Sequence, residues 1–354
     1  NLPHANKEIP YNYFDEKDYQ FVSCYRRSFA YREAWVGKRV FADFDGVMAY
    51  GEVYLNGRLL GSHKGGYTPF AVDLTPALKF GENVLVVKVD STERPDIPPF
   101  GYTIDYLCYG GMYRDIYLRI VDPVFIENIF AKPQNVLEEK KTLETTVFLA
   151  NTTTEEQSLT VTVQLTRDGE RVAEKTCTAV VEPGKSSLDV VLSDLESIEL
   201  WDIDHPNLYQ VEVTIAGGTG ISDSYAVRIG FREAVVKADG FYLNGRKLMI
   251  RGLNRHQAFP YVGYAMPARV QRRDADILKY ELSLNAVRTS HYPQSPHFLD
   301  RCDEIGLLVF EEIPGWQHIG DEGWQAVACE NVREMIQRDW NHPSIFLWGV
   351  RINE

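Results

Sequence analysis

The chain has no basic patch, no long apolar run and no cysteine framework, and each lack removes a class of protein. Lys and Arg number 37 against 50 Asp and Glu, a net charge of −13. The cations are scattered, so nothing offers the basic face that a phosphate backbone requires, and no nucleic-acid partner is expected. No apolar stretch approaches the ~18 residues of a membrane span, so no membrane partner is expected either. The five cysteines, Cys24, Cys108, Cys177, Cys302 and Cys329, are odd in number, far apart and form no CxxC. That excludes a disulfide scaffold and a zinc ribbon, and all five are expected to be buried free thiols. The first residue is Asn1 rather than Met and no signal-like segment follows, from which the natural N-terminus is expected upstream. The compartment is left open, with bacterial periplasm or cytoplasm as the expectation. The Asn151-Thr152-Thr153 sequon matters only in a secreted eukaryotic protein and reads as a turn.

What is present is ordinary globular sequence: 354 residues, 44% hydrophobic, 25% charged and 12% aromatic. That length suits two or three domains, each able to bury a core. Residues 1–121 read as short strands broken by turns, the strongest signal being Asn56-Gly57 within Val53–Leu60. A jelly-roll β-sandwich is expected there. Residues 122–233 alternate at period two through Leu143–Leu149, Leu159–Leu165 and Tyr209–Ile215. An immunoglobulin-like β-sandwich fits that spacing, although its Cys-Trp-Cys signature is absent.

From residue 234 the pattern becomes strand and helix in alternation. Strands are predicted over Leu248–Arg255, Asn285–His291, Leu307–Glu312 and Ile345–Glu354, with helices over Arg269–Leu284, Pro296–Gly306 and Trp324–Trp340. Apolar strands alternating with helices imply parallel β/α units, here the first half of a (β/α)8 TIM barrel over 234–354, since a whole barrel needs roughly 250 residues. The predicted strands end in Asn254-Arg255-His256, Arg288-Thr289-Ser290-His291, Glu311-Glu312 and Asn353-Glu354. Barrel enzymes gather functional side chains at these ends, and four polar ends in succession imply one polar pocket.

Several motifs are specific enough to carry a resemblance. Leu2-Pro3-His4, Val53-Tyr54-Leu55-Asn56-Gly57, Gly65-Gly66-Tyr67-Thr68-Pro69-Phe70, His205-Pro206-Asn207-Leu208-Tyr209 and Ile229-Gly230-Phe231-Arg232 run in order through the first two regions. Arg251–His256, Asn285–Pro293 and Arg338–Ile345 follow in the third. Together they resemble glycoside hydrolase family 2, the β-galactosidase and β-glucuronidase family. The resemblance implies a retaining β-glycosidase acting on a carbohydrate substrate, with β-galactosidase ahead of β-glucuronidase.

It further implies that Glu354 is the catalytic acid/base and that Asn353 binds the sugar 2-hydroxyl, a contact that strengthens in the transition state. His256 and His291 correspond to substrate-binding histidines, His291 lying near the departing oxygen. Asp105 and Asp115, in a Tyr- and Gly-rich segment, correspond to first-domain residues that reach substrate, Asp115 through a sodium ion in some members. Arg288 is read as ordering nearby carboxylates, and Glu312 either as support behind the substrate-binding residues or as a buried partner of Arg288, with no catalytic role. The nucleophilic Glu is expected beyond residue 354, so the chain alone is expected to have no turnover. Ile313-Pro314-Gly315-Trp316-Gln317-His318 lacks the carboxylate with which some β-galactosidases bind magnesium, and a lone His318 is a poor ligand for that ion, so no structural magnesium or other cofactor is expected. Asn254-Arg255-His256 departs from the Asn-Trp of β-mannosidases. A reading of another class, a non-catalytic carbohydrate-binding module on two sandwiches, uses the same first two regions. Half a barrel exposes parallel edges, which self-association into a homo-oligomer would cover.

Overall fold

The structure, a computed structural model, describes residues 2–350, the side chain of Thr219 excepted. In the first unit, period-two alternation turns Val40, Ala42 and Phe44, then Val53 and Leu55, then Leu85, Val87 and Val89 into one core. One sheet runs in the order Val22–Ala30, Glu82–Asp90, Tyr50–Leu55, Arg58–Lys64. The facing sheet runs Phe70–Asp73, Arg39–Phe44, Ile116–Val121, and all pairings in both are antiparallel. Asn56 (φ 53°) and Gly57 (φ 86°) close the hairpin in the left-handed pair that a type I′ turn needs. Asn56 also braces it, its Nδ2 donating to Ala77 O and Asn83 Oδ1 at 2.9 Å.

The second unit packs a three-stranded sheet (Val124–Gln134, Lys141–Asn151, Gly184–Leu195) on a four-stranded one (Glu170–Val181, Gln157–Arg167, Tyr209–Gly217, Ser222–Ile229). Leu143, Val147 and Leu149 meet Val161, Val163, Val211 and Val213 between the sheets, an immunoglobulin-like sandwich. Asn151 of the sequon is buried, its Oδ1 accepting from Thr153 N and its Nδ2 donating to Val181 O at 2.9 Å, a side-chain-stabilised turn.

The third unit opens with an antiparallel hairpin set, Ala234–Lys237, Gly240–Leu243 and Arg246–Leu248. Four parallel strands follow in sequence order: β1 (Gly252–Asn254), β2 (Ala286–Arg288), β3 (Leu308–Glu312) and β4 (Ile345–Gly349). Helices α1 (Ala268–Asp276), α2 (Pro296–Ile305) and α3 (Glu322–Asp339) connect them. This is the first half of a TIM barrel, and among the described residues β1 and β4 are its edges. Gly306 ends α2 at φ 70°, and a Cβ there would lie 2.5 Å from Ile203 O, so both backbone and space demand glycine.

Two expectations need correction. The strand predicted over Leu248–Arg255 is two elements, because Asn244-Gly245 (φ 50° and 75°) turns the chain into a hairpin first. The helix predicted over Arg269–Leu284 is α-helical only to Asp276 and widens into a π turn over Ile277–Glu281. The cysteines also differ from expectation. Cys108 and Cys302 are buried, Cys177 is half-buried, and Cys24 and Cys329 are exposed. Cys24 sits on an edge strand and Cys329 on α3, places where an outward-facing side chain meets solvent.

Side chains stitch the units together. Trp340 donates its indole N–H to Ile129 O at 2.8 Å and stacks on Phe130, ring centres 4.5 Å apart. Trp201 is fully buried and donates to Asp303 O at 2.8 Å. No helix among the described residues is long and apolar enough to cross a membrane.

Candidate functional site at the strand ends

Alternation along β3 sends its two terminal carboxylates to opposite sides. Glu311 turns toward the helices, where Arg338 Nη2 lies 3.2 Å away, and burial with Asp339 nearby pushes its carboxyl well above the usual range. Glu312 turns toward the barrel mouth and is fully buried. Its Oε2 accepts from Arg288 Nε at 2.7 Å, and its Oε1 lies 2.8 Å from His291 Nδ1. Arg288 thus orders a carboxylate rather than facing open space. Arg255 leaves the mouth altogether. It is buried against Asp274, Gln271 and Gln294, with its guanidinium 4.0 Å above the Phe298 ring.

His256 and His291 come together with ring centres 5.3 Å apart. Tyr106, from the first unit, packs against both rings, 5.4 Å from His256 and 5.5 Å from His291, and lies 5.7 Å from Tyr292. Trp316 closes the cluster 5.0 Å from His291. Such faces suit the apolar side of a pyranose, with imidazole nitrogens for its hydroxyls. Burial, and then the neighbouring His291, push His256 down to about 4, partly opposed by the Asp105 carboxylate. His256 is therefore neutral near pH 7. Asp105 itself is exposed beside this cluster.

No contact joins Asp115 to the rings. Its carboxylate lies 3.3 Å from His297 Nε2 at the start of α2. Asn353 and Glu354 lie outside the described residues. His318 packs edge-on against Trp324, 5.8 Å between centres. Tyr106, Tyr292, Trp316 and Arg114 were not singled out by sequence reasoning. All four lie inside segments already named, Tyr106 and Arg114 between Asp105 and Asp115, Tyr292 in Asn285–Pro293 and Trp316 in Ile313–His318, and for the aromatics that placement is the available signal.

Arg114 locks the first unit over the mouth. It is buried, donating to Tyr67 O at 2.7 Å and Asp45 O at 3.2 Å on its own side. It also donates to Pro293 O at 2.6 Å across the seam, with Gln257 Oε1 at 3.5 Å. Burial lowers its pKa, as expected for a cation whose near partners are carbonyls.

Two other features compete for attention and belong elsewhere. A cavity of about 1160 Å³ runs between the edge strands Val22–Ala30 and Ile116–Val121 of the first sandwich. We place the site at the strand ends because the ionisable groups converge there. Asp300, Asp303 and His342 also converge, with ligand-type atoms within 4.8 Å. His342 Nδ1 is 2.5 Å from Asp303, and Asp300 is 2.9 Å from Arg228. Although burial works against it, the Asp303 charge holds His342 up at about 9. With Asp303 paired to His342 and Asp300 to Arg228, we read this cluster as an ionic joint.

Comparison with known proteins agrees with this architecture. Residues 4–121 match the profile described as Glycosyl hydrolases family 2, sugar binding domain. Residues 124–232 match Glycosyl hydrolases family 2, and 234–354 match Glycosyl hydrolases family 2, TIM barrel domain. The chain is 54% identical to a Beta-galactosidase of Thermoanaerobacterium thermosulfurigenes, covering 100% of the chain and 50% of that protein. It is 39% identical to a Beta-galactosidase of Rhizobium meliloti, covering 98% of the chain and 46% of that protein. A crystal structure of Bacteroides uniformis beta-glucuronidase superposes with TM-score 0.91 at 31% identity, over 98% of this chain and 42% of that one. The chain thus spans about half the length of the relatives it matches. With all three profiles falling in order along the chain, it belongs to glycosyl hydrolases family 2.

Proposed function

We propose that the protein containing this chain is a retaining β-galactosidase that hydrolyses terminal β-D-galactosides. The observation that carries this reading is the 54% identity, over the whole chain, to a protein named Beta-galactosidase. A β-glucuronidase is the second reading, favoured by glucuronidase neighbours in fold at 31% identity. The lower identity ranks it behind. A purely carbohydrate-binding role leaves the buried Glu312–His291–Arg288 set at the barrel mouth without a purpose.

In the proposed mechanism Glu354 protonates the departing glycosidic oxygen while a second Glu, outside this chain, attacks the anomeric carbon. The resulting glycosyl-enzyme is hydrolysed by water that Glu354 deprotonates, and retention sets the two carboxyls ~5–5.5 Å apart. Asn353 holds the 2-hydroxyl, and His256, His291 and Asp105 hold other hydroxyls. Asp115, engaged by His297, is assigned to the seam between the first unit and α2. The reading invokes no metal ion: residues 313–318 after β3 hold no carboxylate, and Asp321, further along the loop, caps α3 by accepting from Trp324 N at 2.9 Å. The edges of β1 and β4 are covered by the rest of the barrel, so self-association is not required. The test compares kcat/KM of the full-length protein on aryl β-galactoside and aryl β-glucuronide. Preference for the galactoside supports the reading, and preference for the glucuronide overturns it.

A further inference from the structure

The hydrogen bonds behind the two mouth histidines determine where each ring carries its proton. Glu312 is a carboxylate and can only accept. With Arg288 Nε at 2.7 Å on Oε2, its Oε1 stands 2.8 Å from His291 Nδ1; Arg288 Nη2 also approaches Nδ1, at 3.4 Å, but the much shorter carboxylate contact prevails and Nδ1 bears the hydrogen. In the neutral ring Nε2 is then an acceptor, and among the described residues it has no protein partner.

His256 is wired the other way. Its Nδ1 lies 3.3 Å from Tyr292 Oη, which also receives the backbone N–H of Gln257 at 3.2 Å. A phenol has one proton to give, and although the Tyr264 hydroxyl is also close, we assign His256 Nδ1, 3.3 Å away, as its acceptor. The neighbouring Tyr264 hydroxyl gives its own proton to Leu107 O at 2.6 Å. His256 Nδ1 is therefore unprotonated, and Nε2 carries the hydrogen of the neutral ring. Tyr292 is itself fixed, fully buried and stacked on Tyr67 at 4.3 Å.

We propose that Glu312 and Tyr292 are positioning residues that hold His291 and His256 in opposite tautomers, one presenting an acceptor and the other a donor. A pair of this kind reads hydroxyl groups on one edge of a neutral pyranose, since a hydroxyl both gives and takes a hydrogen bond. Glu312 and Tyr292 act through the histidines and do not touch the sugar. The inference rests on the glycosidase reading and adds the polarity with which each histidine meets its hydroxyl.

Glu312→Gln is the informative substitution because it keeps size and reverses polarity. Arg288 still demands an acceptor, so the amide oxygen faces Arg288 and the NH2 faces His291 Nδ1. That forces the hydrogen to Nε2, where a donor meets what had been a donated hydroxyl. In the full-length protein, kcat/KM on the best aryl glycoside should fall about 10- to 100-fold, as when a polar group is left mispaired. The decisive readout is a series of 2-, 3-, 4- and 6-deoxy aryl glycosides. For one position the gap between wild type and Glu312→Gln should collapse, because the hydroxyl that senses the tautomer is gone. Tyr292→Phe should show the same selective collapse for the hydroxyl at His256. A uniform loss across the series in either variant means a merely structural role and overturns the proposal.

If a variant does not fold, the wild type decides. A low-field imidazole N–H proton resonance, bonded to a carboxylate and lost in His291→Asn, is expected, and its absence overturns the assignment. The glycosidase reading fails separately, through absence of any wild-type hydrolysis.

Discussion

Replacing Arg114 with Met tests whether the first unit is fastened to the barrel mouth by this one guanidinium. Met keeps most of the volume and removes every N–H. Two of the four bonds are short and charge-assisted, to Pro293 O at 2.6 Å and Tyr67 O at 2.7 Å. Such bonds contribute about 1.5–3 kcal/mol each, whereas those at 3.2 and 3.5 Å add little. Relief of the buried charge offsets part of the roughly 3–6 kcal/mol lost, leaving a net destabilisation of about 2–4 kcal/mol. Arg119→Met is the control, because its ion pair with Asp43 is 32% exposed on the arginine side and should cost under ~1 kcal/mol. Urea unfolding of the full-length protein, followed by tryptophan fluorescence, measures both. Because several units unfold, the transition that includes the seam is the one compared. If Arg114→Met lies within 1 kcal/mol of Arg119→Met, the reasoning about the buried carbonyl-bound arginine is refuted.

Two further predictions concern titration and reactivity. His342, raised to about 9 beside Asp303, contributes stability that is fully present below its unfolded value near 6.5 and lost as pH rises through 9. The loss is on the order of 3 kcal/mol across that window, and His342→Gln should flatten the pH dependence of unfolding there. Cys24 and Cys329 should alkylate fastest in the native protein. Cys108, pushed up to about 12 by burial, and Cys302, buried and shifted upward likewise, should react only on unfolding. Mass spectrometry of tryptic peptides checks the order, and early labelling of Cys302 would contradict the buried α2 core.

Much of the fold was legible because it rests on local chemistry. Asn56-Gly57 announced its hairpin through the left-handed backbone both residues tolerate, and Asn244-Gly245 carried the same signal for the hairpin before β1. The parallel strands were readable from apolar bodies with polar ends. Boundaries were less so: β1 is three residues long, and its exposed neighbours Met249 and Ile250 mimic strand sequence. The candidate site divides in the same way. His256, His291, Arg288 and Glu312 stand at strand ends, where position alone marks them. Tyr106 and Arg114 were hidden because their partners lie far along the chain. Arg114 binds mostly carbonyl oxygens, which every residue possesses and no sequence pattern advertises.

The most direct test of the account is the leaving-group dependence of Glu354→Gln in the full-length protein. If Glu354 donates the proton to the departing oxygen, an alkyl β-galactoside should lose about 10²–10⁴-fold in its cleavage step. An aryl galactoside whose leaving group departs without protonation should lose far less in the same step. Equal losses on both substrates would contradict the assignment of Glu354 as the acid of a retaining β-galactosidase.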